Sequence, residues 1–104
     1  MYALAVRFEL KDEASAAAFD RLVELTGEGI RRIEPGTLAY VTHHVEGESL
    51  ARVFYELYRD RAAFEEHERQ PHTIRFLAER EQYITTVRVE FLTLHTAKGV
   101  AEDV

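Results

Sequence analysis

With 104 residues, no cysteine and a formal net charge of −6, the chain reads as one domain without disulfide, thiolate or cysteine-metal chemistry. A pI near 5.3 and the lack of a basic cluster argue against nucleic acid and anionic membranes as partners. No apolar run is long enough to span a bilayer, nothing points to an oxidising compartment, and the cytoplasm is the expected location.

Residues 2–10 alternate, with Tyr2, Leu4, Val6, Phe8 and Leu10 on one side and Ala3, Ala5, Arg7 and Glu9 on the other. A period of two predicts a strand with one strongly apolar face. Charges at Arg7 and Glu9 come too early for a secretory leader. Asp12 is placed to cap a helix, in which Phe19, Leu22, Thr26, Ile30 and Ile33 recur every three or four residues. Gly27 and Gly29 weaken that helix, and Pro35-Gly36 ends it.

Residues 37–46 are rich in β-formers, Gly47 starts a turn, and residues 51–59 make a third strand. Asp60 caps a second helix with Ala63, Phe64 and His67 on one face. Pro71 interrupts it as the first residue of a further helical piece, continued by Ile74, Leu77, Ala78 and Glu81. Residues 83–96 form a last strand with Val87, Val89 and Phe91 on its apolar face, and 98–104 read as a loose tail.

The order β-α-β-β-α-β predicts an α+β, ferredoxin-like antiparallel sheet with its helices on one face. The opposite face would carry Ala3, Ala5 and Arg7 with Val53, Tyr55 and Leu57, too apolar for water. A second copy of the sheet is its simplest cover, so a homodimer is expected. Arg7 and Glu9 are then expected to pair with Glu90 and Arg88 of the last strand.

Several residues invite chemistry. Glu56 alternates in phase with Phe54 and Tyr58, so on the helix side it would sit among aromatics with a raised pKa. The competing reading is an ion pair with Arg52 or a helix arginine. His67 faces the sheet and is either a base for a phenolic proton or an interior histidine bonded to a carbonyl or to Glu56. If His67 and Glu56 meet, the carboxylate fixes the imidazole tautomer. His72 lies opposite Ile74 on the helical wheel, which places it at a pocket mouth or in solvent. Tyr40 and Tyr58 are either packing residues or donors to a substrate oxygen. His43 and His44 point to opposite sides of a strand, and His67 and His72 are five apart across a proline. Neither spacing is that of a helical metal pair, so no metal is expected. No phosphate or dinucleotide loop occurs, so no cofactor is expected.

Residues 53–76 resemble the signature segment of antibiotic biosynthesis monooxygenase domains: a strand ending in Glu-x-Tyr/Trp, an acidic cap, then a helix with an aromatic and a His, and a second His after a small residue or proline. Glu56, Tyr58, Asp60, Phe64, His67, Pro71 and His72 fall on those positions. Glu34-Pro35-Gly36 with Tyr40 is similar to the family's Glu-x-Gly turn and following aromatic. The resemblance implies a dimeric α+β barrel with one pocket per protomer. It also implies O₂-dependent oxidation of a hydroquinone-like or polyketide aromatic without flavin, haem or metal. His67 and Glu56 would handle protons, and Phe54, Tyr58, Phe64, Tyr40 and His72 would meet substrate. Alternatives are an isomerase-like member or a non-catalytic barrel that binds a small hydrophobic ligand. Haem-degrading members carry Trp where Tyr58 stands, and this chain has no Trp.

Overall fold

A computed structural model describes residues 1–100. Residues 101–104, the end of the expected loose tail, lie outside the described residues. The elements are β1 (Tyr2–Leu10), α1 (Glu13–Ile33), β2 (Thr37–Val45), β3 (Glu48–Tyr58), α2 (Arg61–Arg69), α3 (Pro71–Glu79), a 3₁₀ turn (Arg80–Gln82) and β4 (Ile84–Thr93). The sheet runs β2-β3-β1-β4, antiparallel throughout. This is the ferredoxin-like α+β fold that the element order predicts. No helix among the described residues is long and apolar enough to cross a membrane.

The local reasons match the sequence. Asp12 accepts a hydrogen bond from the Ser15 amide at 2.7 Å and Asp60 from the Ala63 amide at 2.8 Å, each relieving one orphan donor of a helix start. Gly27 and Gly29 leave α1 unbroken, because its buried stripe of Ala16, Phe19, Leu22, Val23, Thr26 and Ile30 is held by the sheet. Gly47 takes a positive φ of 79° in the β2–β3 turn. At the core, Phe8 meets Phe19 and Phe54 with ring centroids 5.0 and 4.8 Å apart, and Phe76 closes the group from α3. Burying each such ring stabilises the fold by roughly 1.5–3 kcal/mol.

Two expectations are corrected. Arg7 lies opposite Arg88 in the β1–β4 register, not opposite Glu90. It is neutralised by Glu9 at 2.7 Å and Glu48 at 2.8 Å, while Arg88 turns to Glu90 on its own strand. On α3 the buried residues are Thr73 and Phe76, and Ile74 is 56% exposed. The break at Gln70–Pro71 rotates α3 relative to α2, so the stripe of α2 cannot be continued through the proline.

Candidate functional site

Strand register builds the floor of the site. On the helix-covered face one row runs Tyr40, Glu56, Leu4, Phe91, and the next runs Thr42, Phe54, Val6, Val89. The helices roof these rows, leaving a cavity of about 170 Å³. Its walls include Tyr40, Glu56, Phe64, His67, Thr73 and Arg80. Phe54 and Tyr58 are fully buried core residues and do not line it, and neither does His72. Of the aromatic residues expected to meet substrate, Tyr40 and Phe64 border the cavity.

Glu56 lies on the helix side, as its phase predicts. Burial pushes its carboxyl pKa up, partly offset by the Tyr58 hydroxyl, which donates to Oε1 at 2.6 Å. Burial, and next the charge of Glu56, raise the Tyr58 pKa, and burial also raises that of Tyr40, so both phenols stay protonated donors. Arg52 does not pair with Glu56. It forms a bidentate bridge to Asp20 of α1 at 2.8 and 3.0 Å.

The partner of His67 is Glu34, not Glu56. His67 Nδ1 lies 2.8 Å from Glu34 Oε1, and both side chains are almost completely buried. Thr37 donates its hydroxyl to the same oxygen at 2.7 Å. His72 Nε2 bonds Glu34 Oε2. Glu34 caps the C-terminal end of α1, where the helix dipole disfavours a carboxylate. Burial also raises its pKa, but the hydrogen bonds from His67, Thr37 and His72 outweigh that and hold it below the usual range. An ionised Glu34 accepts only, so each histidine presents an N–H to it. His67 Nε2 is then left as an acceptor. It has no hydrogen-bond partner among the described residues, and the His67 ring borders the cavity.

His72 therefore turns inward rather than to a pocket mouth or solvent. The wheel relation to Ile74 holds, but with Ile74 outside, the opposite side of the helix is the buried one. The spacing argument against shared ligands fails for the same reason: the proline break lets rings from α2 and α3 converge on one carboxylate. One donor atom each from Glu34, His67 and His72 lie within 4.8 Å of one another.

This convergence depends on Gly29 of α1. A Cβ there would stand 2.4 Å from His72 Nδ1 and 2.6 Å from its Cγ. Helix propensity alone favours Gly→Ala by about 1 kcal/mol. Here Gly29→Ala should instead destabilise by roughly 1–3 kcal/mol, the usual cost of overpacking, because the ring must leave Glu34 or push α3 away. Thermal unfolding checks this, and a raised Tm would mean that His72 is not held against α1.

Sequence reasoning missed two residues. Glu34 sits in the Glu-Pro-Gly turn, where an acid at a helix C-terminus is itself a sign of a buried partner. Arg80 carries its guanidinium over the rings of Phe8 and Phe76, 5.5 and 5.7 Å from their centroids. Its Nε is buried without a hydrogen-bond partner among the described residues, and Glu81 approaches only to 4.0 Å. The site thus holds a carboxylate-oriented imidazole, a carboxyl of raised pKa, a phenol donor and an underused cation around an apolar space.

None of the curated proteins matches the chain. Among solved structures, a Mycobacterium tuberculosis protein, Rv0793, superposes with a TM-score of 0.84 at 25% identity, covering 92% of this chain and 96% of its own. A Pseudomonas aeruginosa protein, PA3566, gives 0.81 at 25% identity, covering 91% and 94%. An antibiotic biosynthesis monooxygenase gives 0.83 at 22% identity, covering 92% and 100%. The sequence profile of antibiotic biosynthesis monooxygenases matches residues 1–79, which contain Glu34, Glu56, His67 and His72. By that match the chain belongs to the antibiotic biosynthesis monooxygenase family.

Proposed function

We propose that the chain is a cofactor-independent monooxygenase that oxidises a hydroquinone-type aromatic with O₂, using His67 as base. The observation that carries this reading is the Glu34-oriented His67, whose free nitrogen belongs to a ring bordering a mostly apolar pocket. A cavity of about 150 Å³ accommodates benzene. The volume here, about 170 Å³, suits one aromatic ring better than a fused polyketide.

His67 Nε2 takes a phenolic proton. The resulting phenolate passes one electron to O₂, and semiquinone and superoxide combine at a ring carbon. The proton returned by His67 completes the hydroperoxide at that carbon. The oxygenated ring carbon loses its own C–H proton as the O–O bond breaks, the distal oxygen leaves as water with both protons, and a hydroxyquinone remains. Hydroquinone plus O₂ becomes hydroxyquinone plus water, with no external reductant. Arg80 faces the phenolate, and apolar walls strengthen that attraction by excluding water. Tyr40 donates to a substrate oxygen.

Metal-stripped, flavin-free protein should convert a single-ring hydroquinone under isotopically labelled O₂. One labelled oxygen should appear in the product and the other in water. Turnover without O₂, or only with added flavin, would overturn the reading.

We also propose that the working unit is a homodimer joined through the outer sheet face. Rows Ala39-Leu57-Ala3-Leu92 and Val41-Tyr55-Ala5-Glu90 run across it, with Val41 44% and Leu92 37% exposed. Light scattering should give twice the chain mass at micromolar concentration, and a clean monomer there would contradict it.

A further inference from the structure

We propose that Glu34, His67 and His72 form a binding site for a divalent transition metal of the zinc class, and that occupancy switches the base off. The second half rests on the role given to His67 above; the first does not.

Two imidazoles and one carboxylate are a donor set that suits zinc and its neighbours. Ligand bonds of about 2.0–2.2 Å allow two donors on one ion to stand up to roughly 4.4 Å apart. The donor atoms here fall within 4.8 Å of one another, so small side-chain adjustments suffice. The set is already half organised, since both histidines touch the carboxylate and Thr37 holds one of its oxygens. Such outer support is what orients metal ligands. A path in also exists. A cleft of about 240 Å³, lined by Gly36, Asp60 and Glu66 among others, borders Glu34 and His67 and shares only His67 with the cavity. Its charged lining besides Glu34 is two carboxylates, Asp60 and Glu66, and one guanidinium, Arg59, which leaves the carboxylates in excess.

The consequence follows from imidazole chemistry. With Glu34 as partner, His67 carries its proton on Nδ1 and leaves Nε2 free. A metal needs the Nδ1 lone pair, so the proton of the neutral ring must move to Nε2. His67 then offers the cavity an N–H and can no longer accept a phenolic proton. The same switch moves the His72 proton from Nε2 to Nδ1.

The test uses chelator-treated full-length protein and Zn²⁺ alone. Calorimetry should give one ion per chain, and His72→Ala should weaken binding by roughly 100-fold or more, beyond the typical loss of a merely supporting partner. Nitrogen-correlated NMR of histidine-labelled wild-type protein should show the His67 proton moving from Nδ1 to Nε2 on titration. That reading needs no variant to fold. Quinol turnover should fall with the occupied fraction and return with chelator. No stoichiometric binding, or shifts confined to His43, His44 and His95, would overturn the site. Binding without a His67 tautomer change would overturn the switch, as would turnover that chelation abolishes and metal restores. Failure of the base role instead shows as Zn²⁺ binding that persists in a protein whose turnover is indifferent to His67.

Discussion

Replacing His67 with alanine should lower kcat on a single-ring quinol by about 10²–10⁴, the range typical of a positioned general base. The residue is not on the surface: its side chain is 7% exposed and bonded to a buried carboxylate. Stability will therefore fall as well, and a steady-state rate on a half-folded sample would mislead. Single-turnover rate and Tm measured on the same preparation separate the two effects. A structural histidine predicts a lower Tm with the rate per folded molecule nearly intact, which would remove His67 from the chemistry. Loss of rate at full folded fraction, with substrate affinity retained, is the result expected of a base. Cavity volume is a secondary consideration, because the ring borders the space and its loss only enlarges it.

The sequence exposed the side of each strand more fully than the side of each helix. Alternation put Leu4, Val6, Phe8, Phe54 and Glu56 on one face, and the register agrees row by row. A strand has only two sides, and a run of aromatics on one settles which is buried. A helix has no such binary choice. On α3, Ile74 was the most apolar candidate for the buried stripe, yet Phe76 and Thr73 take that place. Pro71 starts a new helix axis, so the phase carried from Phe64 and His67 ends there. That one reversal explains why His72, expected at the pocket mouth or in solvent, lies inside against Glu34. Glu34 was legible as part of a turn but not as a partner of His67. A contact across 33 residues between a helix end and another helix leaves no periodic trace. Arg80 is hidden similarly, since only tertiary packing sets a guanidinium over Phe8 and Phe76. The family pattern, by contrast, marks His67 and His72 without knowing their geometry, because it records residue type at a position.

Removal of the Glu34 side chain should be the most destabilising single change in the site. Glu34→Ala leaves the Thr37 hydroxyl and the N–H groups of His67 and His72 without an acceptor, in a region where the Glu34 side chain is only 2% exposed. Each buried, unpaired donor costs about 1–3 kcal/mol, and the loss of Glu34 leaves such donors on Thr37, His67 and His72 together. At about 4–8 °C per kcal/mol for a domain near this size, Tm should fall by roughly 12 °C or more. Glu34→Gln separates the structural from the chemical part of that loss. Its amide keeps the volume and one acceptor oxygen but turns an NH₂ toward one of the histidines. Where the NH₂ faces His67 Nδ1, the ring must give up the proton there and carry it on Nε2. In hydrolytic triads an amide in place of the orienting carboxylate costs about 10⁴ in rate through that same wrong tautomer. Glu34→Gln should thus lose much less stability than Glu34→Ala while losing rate by more than its Tm explains. The double variant with His67→Ala should be scarcely slower than His67→Ala alone, because residues acting as one unit do not add. Full additivity of the two rate losses would show that Glu34 acts on something other than His67.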